Sequence, residues 1–194
     1  MENRIKTAYE KALERLKKLN LDQVDTASLE YVPLGRSLAA RFLQEKDFDL
    51  LGAIRGYIGT AARYVREGVE ETLLQNLQLP RDEATMETNR RAMEGLLLLK
   101  ENKSLLRQIF KELEYLFSYY AQAREHAYRN LKENFAARLA SAQEALERQL
   151  GVRVRVEVEQ HPLFQEEWLR LEGELASQYE NILAEQKRKI RSLR

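Results

Sequence analysis

The chain has 194 residues, a formal net charge of +1, 44% hydrophobic and 32% charged residues, and no cysteine. Disulfides, thiolate nucleophiles and thiolate metal sites are excluded, and the charge balance argues against a nucleic-acid binder, which carries a basic excess. Only 8 Gly and 3 Pro punctuate it, so turns are few and the high charge fits long solvated helical faces.

In chain order, residues 3–19 predict a first helix: Ile5, Ala8, Ala12, Leu16 and Leu19 form one stripe, Asn3 caps it, and Arg15, Lys17 and Lys18 close its last turn. This stretch has no apolar core of a secretion signal, and the longest apolar run, residues 96–99, is far below the roughly 20 residues that span a bilayer. The expected location is the cytoplasm. Residues 20–33 read as a connector. Within it residues 29–32 are expected to be extended, because Pro33 disfavours helix at Val32. A short helix at 35–45 precedes one at 49–77, capped by Asp47 or Asp49. The stripe of the longer helix is Leu51, Ile54, Ile58, Ala61, Val65, Val69, Leu73 and Leu77, and Pro80 ends it.

Asp82 opens a helical stretch that reaches Leu150, with Leu106, Phe110, Leu113, Phe117, Tyr120, Ala127, Leu131, Phe135, Leu139, Ala142, Leu146 and Leu150 as its later stripe. The missing step falls on Ala123 and Arg124. Unbroken, it would span about 100 Å at 1.5 Å per residue. Part of it must therefore project as a coiled-coil arm, or it breaks, most naturally in the polar run 100–104. Gly151 is a helix stop. The alternation Val152, Arg153, Val154, Arg155, Val156, Glu157, Val158, Glu159 is the one strand signal. His161 and Pro162 start a final helix carrying Phe164, Trp168, Leu171, Leu175, Tyr179, Ile182 and Ile190. The expected fold is all-α: a helical bundle (residues 1–80), then a long antiparallel, coiled-coil-like hairpin (81–194) with one short strand near residues 152–159.

A strand needs a mate for its backbone groups. Paired antiparallel with its own copy about Val156, the ribbon sets Arg153 against Glu159 and Arg155 against Glu157, each opposed pair adding roughly 0.2–1 kcal/mol. A two-fold interface requires such self-complementarity, so a homodimer is expected. The alternative is pairing within the chain, for example with residues 29–32. Gly52, Gly56 and Gly59 fall on one stripe of the 49–77 helix. They read as tight helix packing or as a groove whose flanking Arg55, Arg63 and Arg66 attract an anion. No strand precedes them and no Gly-Lys-Ser/Thr follows, so they are not a phosphate loop.

His126 has no carboxylate or second histidine at ligand spacing, and His161 belongs to the turn before Pro162. Carboxylates such as Glu70, Glu71, Glu112, Glu114, Glu166 and Glu167 stand on polar faces among Lys and Arg, where nothing raises their pKa for acid or base work. The tail Lys187, Arg188, Lys189, Arg191 and Arg194 compensates a helix dipole, or binds a phosphate backbone or acidic partner. Tyr115, Tyr119, Tyr120 and Tyr128 form a packing seam or a docking face. No cofactor or metal is implied. The expected role is a non-enzymatic structural or adaptor protein acting through protein–protein contacts, as a homodimer and without a membrane. A small-ligand or anion-binding protein is the alternative, and a chaperone-like holder the third reading.

The segments LPRDEATMETNRRAMEGL (79–96) and FQEEWLRLEGELASQYENIL (164–183), with the amino-terminal IKTAYEKALERLKKL, resemble an uncharacterised bacterial family of helical proteins over nearly the full length. The resemblance implies a bacterial source and brings no activity, cofactor or catalytic residue.

Overall fold

The structure is a computed structural model and describes residues 26–151 and 157–193. The helix expected at 3–19 lies outside the described residues. These hold six α-helices and no strand: α1 (Thr26–Gln44), α2 (Leu50–Arg55), α3 (Gly59–Asn76), α4 (Glu83–Leu99), α5 (Lys103–Leu150) and α6 (Pro162–Ser192), with a 3-10 turn at Val158–Gln160 before α6. The all-α class is as expected. The chain divides into two compact units, Met1–Thr72 and Leu73–Arg194. Among the described residues no helix is long and apolar enough to cross a membrane.

In the first unit, α1 runs straight through Pro33, contrary to the extended segment expected at 29–32. Proline withholds the N–H that would bond to the carbonyl four residues back. That carbonyl belongs to Leu29, which is 67% exposed, so water reaches the site. What holds α1 is close contact with α3. A Cβ on Gly35 would collide with the Val65 carbonyl oxygen, and one on Gly68 with the Val32 carbonyl oxygen. The two helices thus cross backbone to backbone, glycine against carbonyl from each side, with Ala39, Phe42, Val65 and Val69 buried around the crossing. Arg36 and Glu71 clasp the outside at 2.9 Å.

The helix expected at 49–77 is two helices. Asp49 caps the first, accepting from the Gly52 N–H at 2.9 Å, and Gly56 ends it. Gly59 then has φ +58°, a left-handed value glycine adopts at no steric cost, and opens α3. The chain turns between them. Ile58, expected on the buried stripe, is 84% exposed, while Tyr57 packs edge-on against Tyr31 with ring centroids 6.3 Å apart.

In the second unit the expected break at 100–104 occurs: Lys100 leaves α4 with extended backbone, and Asn102 caps α5 by accepting from the Leu105 N–H at 3.1 Å. The turn before α4 is fixed by buried Asn89, whose amide donates to the Gln78 carbonyl and accepts from the Gln78 N–H, both at 2.8 Å. The core gathers Leu73, Leu77, Leu96, Leu106, Leu113, Phe117, Tyr120, Leu183 and Ile190, none more than 1% exposed. Burial then thins along α5: beyond Tyr120, only Phe135 is buried among the residues with described side chains, and Ala142 of the expected stripe is exposed. At 48 residues α5 is about 70 Å long, about twice the ~35 Å across a compact body of this unit's size. Gly151 ends it at φ +66°.

Candidate functional site

The residues that join α5 and the turn before it to α6 and its carboxyl end come in a fixed order. Lys100 binds the Leu193 carbonyl, Glu112 takes the Gln186 amide, Tyr120 meets Tyr179, Arg124 meets Glu172 and Arg138 meets Glu167. Rising numbers on one side meet falling numbers on the other. At the thinly buried stretch of this pairing, two concavities open.

The first is built on Arg124, where the apolar stripe of α5 skips a step. Arg124 donates from Nε to Glu172 Oε1 at 2.7 Å and from Nη1 to the Arg81 carbonyl at 3.2 Å, and lies over Trp168 at 5.4 Å. Trp168 in turn packs edge-on against Tyr128, centroids 4.9 Å apart. One guanidinium therefore ties the start of α4 to α5 and α6. Around it Arg81, Asp82, Glu83 and Met86 help to line a cavity of about 500 Å³. Asp82 caps α4 and is held below the usual carboxylate range, chiefly by the Thr85 hydroxyl and then by the Thr85 N–H. The carboxylates around Arg124 are engaged: Glu172 with Arg124 itself, Asp82 with Thr85, Glu83 with Arg90 and Glu125 with Arg129.

The second is an open depression of about 840 Å³ between α5 and α6. Half-buried Ala123, Ala127, Leu131, Leu171 and Tyr179 form its floor, and exposed Gln122, His126, Asn130 and Asn134 its edge. Glu125 and Arg129, also on the edge, pair with each other at 3.6 Å, so the depression is close to neutral. His126 Nδ1 lies 3.2 Å from the Asn130 amide nitrogen. Tyr119 lines the depression at 64% exposure, with Tyr115 one turn earlier at 67%. The four tyrosines thus divide. Tyr120 is buried, and burial raises its pKa above the ordinary 10.0. Tyr128 packs with Phe164 and Trp168, and its pKa is raised by burial and then by its bond to Glu159. Tyr115 and Tyr119 are left bare.

The expected ribbon looks different. Val152, Arg153, Val154, Arg155 and Val156 lie outside the described residues. Glu157 is extended, but Val158 and Glu159 enter the 3-10 turn, a correction to the strand at those two positions. The cause is competition for Glu159. Its carboxylate accepts from Lys132 Nζ at 2.6 Å and from the Tyr128 hydroxyl at 3.0 Å. These bonds, Lys132 first, hold its pKa below the usual 4.5. A ladder of the ribbon with its own copy would need this carboxylate opposite Arg153, and here Lys132 and Tyr128 hold it. His161 sits in the turn as expected and caps α6, its Nδ1 accepting from the Leu163 N–H at 3.2 Å.

Nor do the glycines make a groove. Gly52 belongs to α2 and Gly59 to α3, and with a turn between them the helical stripe does not exist. A Cβ on Gly52 would strike only the Asp49 carboxylate, and Gly59 faces open space. Arg63 folds back on Tyr64, donating to its hydroxyl at 2.9 Å, and Arg55 is exposed at the end of α2. The close backbone approach belongs instead to Gly35 and Gly68, which helical periodicity does not single out. A lone glycine deep in the Val65–Val69 stripe was the signal available. Among the described residues no group of three His, Asp or Glu side chains is arranged to hold a metal ion.

Comparison with known proteins adds a family. A family model described as a family of unknown function (DUF6657) matches residues 51–192, from α2 to the end of α6. No curated protein and no solved structure matches the chain.

Proposed function

The chain belongs to DUF6657, a family of unknown function, and we propose that it is a non-enzymatic structural or adaptor protein that works in the cytoplasm through protein–protein contacts, as a homodimer. In this reading α5 and α6 form an antiparallel, coiled-coil-like arm, and a second copy of the chain covers the open depression on it. The carrying observation is the pair Tyr115 and Tyr119, about two-thirds exposed beside a half-buried floor of alanines and leucines. Tyrosine is enriched at interface cores because its ring is rigid and its hydroxyl tolerates partial hydration.

A second copy is favoured over a charged partner because the depression is close to neutral and the face is self-complementary along α5. A two-fold axis at Ala123 sets Tyr119 of one copy against Ala127 of the other, and Tyr115 against Leu131. Each large ring then meets a small or flexible side chain, as an isologous interface requires. The order of the α5–α6 pairings and the length of α5 support the arm.

The absence of cysteine makes the test direct. Light scattering should give twice the chain mass, and Tyr119→Glu should return it to one chain. In a cysteine-free background Ala123→Cys, on the axis, should cross-link two copies by a disulfide, whereas Asn134→Cys should not. Single-chain mass at every concentration, or dimers that survive Tyr119→Glu and cross-link equally at both positions, would refute the reading.

A further inference from the structure

We propose that the last two turns of α6, with the end of α3, form a binding site for a small phosphate-bearing anion. Lys187, Arg188 and Arg191 line a cavity of about 230 Å³ together with Leu74, Gln75 and Ala184. No carboxylate is among the residues lining it. The volume lies below the roughly 300–1,000 Å³ of sites for drug-sized ligands, so it suits a phosphoryl group with a small substituent.

Two observations separate this site from an ordinary basic helix end. Positive residues at a carboxyl terminus usually compensate the free carbonyls. Here that task is taken by Lys100, a 6%-exposed residue in the turn after α4, whose ammonium donates to the Leu193 carbonyl at 2.7 Å and the Arg191 carbonyl at 3.5 Å. The neighbouring Lys189 points elsewhere and pairs with Glu185 at 3.1 Å. Lys187, Arg188 and Arg191 make no ion pair among the described residues. Lys187 is moreover half-buried, and that burial lowers its pKa, with the Glu180 carboxylate pulling the other way. A partly desolvated ammonium with no ion-pair partner among the described residues is a cost that a bound anion removes, and two guanidiniums beside it offer the planar forks that match phosphate oxygens. The Gln75 amide adds a neutral donor, and Leu74 and Ala184 an apolar wall for the substituent.

The test is titration of the full-length protein with inorganic phosphate and with glycerol phosphate. It is followed by 31P NMR and by the melting temperature against chloride at equal ionic strength. Saturable binding and a higher melting temperature are expected for both. Lys187→Met should weaken them about 10-fold or more. Lys189→Met, with the same change in net charge, should leave them as in the parent. Arg191→Gln serves as a second variant if Lys187→Met folds poorly. Affinity should fall as the pH rises through the lowered pKa of Lys187. The proposal is overturned if phosphate acts no differently from chloride, or if the two lysine variants behave alike. It is also overturned if only acidic-lipid vesicles or duplex oligonucleotides bind while inorganic phosphate does not.

Discussion

Replacing Gly68 by alanine tests the account of the first unit most sharply, because two known effects act with opposite sign. In a helix interior alanine is favoured over glycine by roughly 1 kcal/mol. At Gly68, however, the new methyl group would collide with the Val32 carbonyl oxygen and lie 3.0 Å from its carbon and 3.1 Å from the Arg36 nitrogen. All three are backbone atoms of α1 and cannot rotate away, so the helices must part. Overpacking of this kind costs about 1–3 kcal/mol. With the collision on main chain, about 3 is appropriate, leaving a net loss of about 2 kcal/mol after the propensity gain. At about 2–4 °C per kcal/mol for a chain of this size, the melting temperature should fall by roughly 4–8 °C. Gly173 is the control: it lies in α6 with nothing within 4 Å of its Cβ position. Gly173→Ala should therefore stabilise by about 0.5–1 kcal/mol. Circular dichroism melts give both values, and hydrogen exchange should place the loss of protection in α1 and α3. If Gly68→Ala melts at or above the parent while Gly173→Ala shows its gain, the helices do not cross through these glycines.

Two further outcomes follow from the second unit. Arg124→Met leaves Glu172, with a side chain only 13% exposed, without its cation. Removing one partner of a fully buried pair costs about 3–5 kcal/mol. As the Arg124 side chain is 30% exposed, about 2 kcal/mol is expected, largely recovered in Arg124→Met/Glu172→Met. The sole tryptophan, Trp168, which lies under Arg124, should report the change in its fluorescence. Glu159 and Glu167 are held below the usual 4.5, chiefly by hydrogen bonds from Lys132 and from Arg138 respectively. A carboxylate with a depressed folded pKa contributes stability that is complete above its unfolded value and lost as the pH falls through the folded one. The melting-temperature advantage of the parent over Glu159→Gln should thus be present at neutral pH and disappear below the carboxylate range. An advantage independent of pH would contradict the ionic tie.

Period and punctuation were local enough to read directly. The stripe of Val65, Val69, Leu73 and Leu77, the break between α4 and α5, the stop at Gly151 and the restart at Pro162 all follow from side chains within one or two turns of each other. The sequence also marked Arg124 by an interrupted stripe, without naming Glu172, Arg81 or Trp168 as what it holds. Tertiary structure decided what local pattern left balanced. Pro33 stays helical because Leu29 faces water and Gly35 locks α1 onto α3. The glycine pair at 56 and 59 becomes a turn, and another glycine pair, 35 and 68, becomes the crossing. Glu159 leaves the alternating ribbon for Lys132 and Tyr128, on a helix some thirty residues earlier in the chain. Helical period is set by neighbours three and four residues apart, so it is written along the chain. Which glycine is approached, which carboxylate is claimed and which lysine loses its water depend on residues far off in sequence, and only the packed chain brings them together.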